Sequence, residues 1–228
     1  MFLGEYQRVV GVIFISRDPS FTELLEPSER SSLGNVIIKL SPYTSEQLRD
    51  ILLERVDEAF HPGVIDEEIV NFIADIAAGK KYDPGDCRFA LDILLTSGLI
   101  ADSEESPIIT MEHVRKAVSE TFWGISTEDL ESLDKQRIAV LLGVVQALRF
   151  HKTPYVSLKS VWESYLATCE LEGLKPLSYS QCKEYIKDLD FRGIIDYYPS
   201  KGVSITGASI EDLSRVLQTI ERRREYER

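Results

Sequence analysis
The residues best suited to chemistry lie between Tyr179 and Lys187. Tyr179, Ser180, Gln181, Lys183, Glu184 and Lys187 fall on one side of a helical repeat, and Cys182, Tyr185, Ile186 and Leu189 fall on the other. A glutamine amide can engage adenine through both its ends, a serine hydroxyl adapts to either base edge, and lysines suit phosphates. The spacing therefore predicts contact with duplex DNA. An ordinary amphipathic helix with mixed surface charge fits the same pattern, and Glu184 and Asp188 oppose a polyanion. One further base, Lys201, falls in Pro199-Ser200-Lys201-Gly202 at the tip of a hairpin. The Arg222-Arg223-Arg224 run is interleaved with Glu221, Glu225 and Glu227 and is expected to form intrahelical pairs.

Other chemistry is absent. No G-x-x-x-x-G-K-[ST] loop cradles phosphates, and neither G-x-S-x-G nor H-E-x-x-H occurs. His61, His113 and His151 lie far apart, and Cys87, Cys169 and Cys182 form no C-x-x-C, so neither a metal site nor a disulfide framework is expected. The many carboxylates read as solvated helix faces. The expectation is a binding protein, not an enzyme, with no cofactor of its own. No apolar run approaches the roughly 20 residues that cross a bilayer, the N-terminus has no signal-peptide pattern, and the scattered cysteines suit a reducing compartment, so a cytoplasmic protein is expected, nucleoid-associated through the predicted DNA contact.

The elements that must position these residues follow in order. Lys135–Phe150 is helical, with Ile138, Leu141, Leu142, Val145 and Leu148 on one face; Ser157 caps a second helix and Ser178 a third. Strands at Ile194–Tyr198 and Val203–Thr206 flank the hairpin, and a last helix runs Ile210–Arg224. Helix–helix–helix–hairpin is the order of a winged helix, predicted over residues 135–228. Residues 121–134 read as a polar linker. Residues 43–120 read as a helical bundle. Thr44 with Gln47 forms a capping box, Asp66, Asp86 and Thr110 open later helices, and Leu95 joins the apolar set of the third. Residues 1–42 hold two β-branched runs, Val9–Ser16 and Asn35–Leu40, predicted as strands around a short helix at Ser20–Leu25 that stops near Pro27. Two strands cannot bury themselves, so this stretch reads as the end of an α/β sheet.

Charge divides along the same lines. The chain has a formal net charge of −12, but residues 1–125 hold 11 bases and 22 acids, whereas residues 126–228 hold 15 and 16. The acidity belongs to the first part, and the near-neutral second part is compatible with modest, salt-sensitive binding to DNA.

Several stretches resemble the C-terminal two-thirds of the archaeal replication initiators, AAA+ relatives of the eukaryotic origin recognition complex and its loading partner. They are V-I-F-I-S (12–16), F-T-E-L-L-E-P and R-S-S-L-G (21–34), S-P-Y-T-S-E-Q-L-R-D-I-L (41–52), P-G-D-C-R-F-A-L-D-I-L (84–94), E-H-V-R-K-A (112–117), and V-W-E-S-Y through L-K-P-L-S-Y-S-Q to R-G-I-I-D (161–196). The resemblance implies the end of an AAA+ α/β core (1–42), an AAA+ helical lid (43–120) and a C-terminal winged helix: a mainly α protein with small β. It implies binding to origin duplex DNA, with another initiator subunit or the replicative helicase as partner, and ATP or ADP with magnesium in complete members.

Carried over residue by residue, Arg88 in G-D-x-R matches the lid arginine that reaches the γ-phosphate. Arg17 stands where the family usually has the first sensor's Asn, and Ser28 where it has the finger arginine, with Arg30 at the following Lys. The chain thus reads as a truncated initiator, either a fragment of an ATP-dependent ATPase or a degenerate paralogue. Two other readings stay open: a module that docks on another initiator or on the helicase, and an unrelated winged-helix regulator.

Overall fold
The computed structural model describes residues 11–16, 18, 20–33, 37–121 and 125–226. It divides into two compact units, Met1–Ser41 and Pro42–Arg228.

In the first unit a 3-10 turn, Phe21–Leu24, precedes helix α1, Pro27–Ser32. Pro27 begins a helix where the sequence suggested a stop. At the first helical position its missing N–H costs nothing, and Glu26 and Glu29 cap the turn reciprocally. The predicted strands do not form among the described residues: 11–16 and 37–40 have no regular structure, and Ile13, Ile15, Ile38 and Leu40 are exposed. A lone extended segment has no ladder partner for its N–H and C=O groups and no second layer for its apolar faces, so β-branched composition alone does not make a strand. The remaining residues of both runs lie outside the described residues.

The second unit begins with α2 (Ser45–Ala59), α3 (Glu67–Ala78), α4 (Cys87–Ser103) and α5 (Met111–Thr121). Local chemistry sets their starts. Thr44 and Gln47 cap α2 reciprocally, and the Asp86 carboxylate accepts the N–H groups of Arg88 and Phe89. Before α5, Thr110 Oγ1 accepts from His113 N while His113 Nδ1 accepts from Thr110 N. Leu48, Leu52, Val70, Phe72, Ile73, Ile93, Val114 and Val118 close one core. Gly85 holds the bundle's entrance: its φ is +76°, and a Cβ there would lie 2.5–2.6 Å from Pro42 and Tyr43.

The stretch read as a linker contains α6, Thr127–Glu131, capped by Ser126. Its Leu130 and the following Leu133 are buried with the helices downstream, so the second core begins before Lys135. That core is built by α7 (Lys135–His151), α8 (Leu158–Leu171), α9 (Tyr179–Phe191) and α10 (Ile210–Tyr226). Gly143 lets α8 cross close to α7: a Cβ would sit 2.9 Å from the Tyr165 N. Strands β1 (Asp196–Tyr198) and β2 (Gly202–Ser204) pair antiparallel in the register Asp196↔Ser204, with a further bridge between Val156 and Val203. Gly202, at φ +113°, is required there, because a Cβ would meet the Val156 carbonyl at 2.3 Å. The described residues are thus mostly helical with one two-stranded sheet.

Candidate nucleic-acid interface
Helix α9 starts where its chemistry requires. Ser178 Oγ accepts from Gln181 N, and Gln181 Oε1 accepts from both Ser178 N and Ser178 Oγ. The stretch before this cap is anchored by Tyr165, fully buried in α8. Its hydroxyl accepts from Leu177 N and donates to Gln136 Oε1 on α7, both at 2.8 Å. Burial first, with Cys169 beside it, raises the Tyr165 phenol far above its ordinary pKa, so it stays a neutral donor.

Cys182, Ile186 and Leu189 are buried, whereas Tyr179, Ser180, Gln181, Glu184 and Lys187 are exposed and Lys183 is half-buried. Tyr185 sits between, its ring beneath the Arg137 guanidinium at 4.8 Å. The Tyr179 ring meets Trp162 edge to face at 5.7 Å. Gln181 differs from the expected adenine reader in one respect. Both lone pairs of its Oε1 are taken by the cap, so two-ended recognition would cost the capping box, and its amide NH2 is the end best placed to recognise a ligand.

The charges also rearrange. Asp188 accepts from Arg137 Nε at 2.6 Å and from Arg192 Nε at 2.9 Å. Hydrogen bonding to Arg137, then to Arg192, holds its carboxyl below the usual range. The acid that opposed DNA in the sequence is thus neutralised within a cluster in which Arg137 and Arg192 face Asp188 and Asp134. Arg137 and Arg192 were missed because their roles depend on helix ends distant in sequence or on a C-cap. Lys187 pairs with Glu184 at 2.9 Å, both side chains exposed, and such a pair is screened and weak.

The hairpin packs against the lid. Lys201 Nζ donates to Asp75 Oδ2 at 2.6 Å, the same oxygen that accepts from Tyr155 Oη, while Asp75 Oδ1 accepts from Ser45 Oγ. Lys201, expected to stand free at the wing tip, is therefore held by α3. Lys81 pairs with Asp196 at 3.3 Å, and Thr206 donates to the other Asp196 oxygen. Arg115, 4% exposed, donates to the Ile205 carbonyl at 2.9 Å and faces Glu112. Glu112 Oε1 accepts from Ile210 N, and burial, with Glu211 beside it, pushes the Glu112 carboxyl up to about 7. Arg223, part of the run expected to pair within its helix, reaches Glu131 on α6 at 3.5 Å.

Arg88 is exposed in the first turn of α4 and makes no ion pair among the described residues, not even with Asp86 or Asp92. By charge it fits a terminal phosphate. Arg30, in α1, is exposed and donates to the Leu25 carbonyl, and Arg17 lies outside the described residues. A nucleotide site needs a phosphate cradle and a magnesium ligand set besides one guanidinium. The described residues bring no three His, Cys, Asp or Glu together for a metal, and no step of nucleotide chemistry follows from them. Nor is any helix among them long and apolar enough to cross a membrane.

Residues 49–119 match the family described as the Cdc6 AAA+ ATPase-type lid domain, and residues 128–203 the CDC6 C-terminal winged helix domain. The ORC1-type DNA replication protein of Pyrococcus horikoshii is 36% identical over 187 residues, 82% of this chain and 44% of that one. The ORC1-type DNA replication protein 2 of Saccharolobus solfataricus is 30% identical over 189 residues, 82% of this chain and 46% of that one. The crystal structure of Cdc6p from Pyrobaculum aerophilum superposes with a TM-score of 0.79 at 33% identity, over 91% of this chain and 56% of that one. The chain thus spans about half the length of these relatives.

Proposed function
The chain belongs to the Cdc6 and ORC1-type replication-initiator family, of which it carries the lid and the winged helix, and from that premise we propose that it binds duplex origin DNA through α9. The observation that carries this reading is the open face of α9. Its start is anchored by Ser178 and Tyr165, its inner face is buried, and Tyr179, Ser180, Lys183 and Lys187 are left toward solvent or partly so. Helix N-terminal side chains of this kind reach base edges in the major groove while lysines meet phosphates. Arg137 and Arg192 balance Asp134 and Asp188, so the cluster is locally neutral where the whole chain is acidic.

Binding is weak on its own and strengthened by another initiator subunit, because Lys201 is engaged by Asp75 and the rest of the chain is acidic. In a complete initiator Arg88 would face the terminal phosphate of ATP, and the lid and winged helix by themselves would not hydrolyse nucleotide. Titration of a duplex at several salt concentrations tests this. Affinity should fall with salt, and Lys183→Ala with Lys187→Ala should weaken binding and flatten the slope by about two phosphate contacts. Absence of binding at low salt would refute it.

One observation favours a second reading, a module that docks on another initiator or on the replicative helicase. The hairpin that should grip DNA is instead spent on the lid. Co-purification with a full-length initiator, unaffected by the double lysine variant, would support that reading.

A further inference from the structure
Along α4, from Leu91 to Asp102, lies a cavity of about 740 Å3, open to solvent between the end of α2, α4 and the loop before α5. Its near end, at Leu91 and Asp92, lies one turn past Arg88, and its apolar centre at Leu95 and Leu99 lies two to three turns on, ~10–16 Å along the axis. Its wall is a stripe of Leu91, Leu95 and Leu99 at four-residue spacing, with Leu95 and Leu99 each 59% exposed. A single exposed leucine is unremarkable, but two in register on the rim of a groove are what an incoming apolar helix face fits. Gly98 keeps the floor open: a Cβ there would already press on the Phe60 ring at 3.0 Å.

The rim has a charge pattern. Arg55 is paired with Glu58. Asp92 and Asp102 line the groove, and neither makes an ion pair among the described residues. Ten residues apart on one helix, they stand ~15 Å from each other along the axis, bracketing the exposed Leu95 and Leu99.

We propose that this lid groove docks an amphipathic helix of a partner protein, its apolar stripe against Leu95 and Leu99 and its Lys or Arg residues, about three turns apart, on Asp92 and Asp102. The charge complementarity selects a basic helix over an acidic one, because like charges set against the two carboxylates repel while opposite charges fix orientation and register. The groove requires neither DNA nor nucleotide and does not depend on the α9 reading.

The test uses the full chain and two fluorescein-labelled synthetic helical peptides of about 14 residues, a length that spans the two carboxylates. Both carry leucines at helical spacing; one has lysines about ten positions apart, the other glutamates there. Anisotropy should show the lysine peptide binding tighter by about tenfold. Asp92→Asn with Asp102→Asn should erase that preference, and Leu95→Gln with Leu99→Gln should abolish binding of both peptides. These four side chains are exposed, so helicity and thermal midpoint should stay near those of the parent, and a circular dichroism melt checks this. Equal binding of the two peptides, or binding indifferent to the leucine substitutions in a folded variant, would overturn the proposal.

Discussion
Helix α9 and the β1–β2 hairpin belong to one winged helix and were expected to face one duplex, yet they are held in opposite ways. The α9 face is shaped by its own domain: Tyr165, Ser178 and the α7–α8 crossing set its position, and its outer residues meet solvent. The hairpin and its flanks are shaped by the lid, through Asp75, Lys81, Arg115 and Glu112, residues that lie 90 to 126 positions upstream of their partners. A recognition element can thus be open because its neighbours in sequence make it so, and closed because distant residues do.

This contrast can be broken at four places. The largest effect is expected from Arg115→Met. The substitution strips the buried donor from the Ile205 carbonyl and leaves Glu112 facing no guanidinium, so urea denaturation should show a loss of about 3 kcal/mol, while α9 stays intact by its amide spectrum.

Next comes Glu112→Gln. The folded state binds the Glu112 proton more tightly than the unfolded chain, so stabilisation present near pH 4.5 is lost as pH rises toward about 7. His113, whose pKa burial lowers, acts in the opposite sense, its contribution lost as pH falls below 6.5. The informative quantity is therefore the difference between parent and variant. Glutamine should remove the Glu112 part of the decline, on the order of 2 kcal/mol between those pH values, while keeping the acceptor for Ile210 N.

Tyr165→Phe should cost about 1 kcal/mol and also lower duplex affinity, because Leu177 N, just before the α9 cap, loses its acceptor. Loss of stability with unchanged affinity would show that α9 does not depend on that anchor. The smallest effect is Asp75→Asn. The amide still accepts from Ser45 or Tyr155 but holds Lys201 less firmly. Stability should change by under about 1 kcal/mol, and duplex binding should tighten a few-fold with a salt slope steeper by about one phosphate contact. No gain would leave the hairpin as purely structural.

What could be read from the sequence was local. The caps at Thr44, Asp86, Ser157 and Ser178 form as expected, because each is a contact between residues within a turn of each other. The inward set Cys182, Ile186 and Leu189 follows from helical periodicity. What could not be read was tertiary. Nothing near Lys201 announces Asp75, and nothing near Asp188 announces Arg137. Leu95 was grouped with core residues because an apolar residue beside Leu94 looks buried until the missing neighbour is seen. The β-branched runs in residues 1–42 failed as strands for the converse reason: composition was right, but strand pairing is a property of two segments. The order helix–helix–helix–hairpin already pointed to a winged helix, and the resemblance added that the bundle before it is an AAA+ lid.

Gly85 carries one more consequence. The backbone where the chain enters the lid, Pro42–Tyr43, rests against this glycine, and Arg88 leaves the same turn of structure three residues later. The segment that enters the lid and the start of α4 therefore meet at Gly85, like a door whose hinge pin passes beside its handle. A side chain at position 85 would act as a wedge that decouples the two.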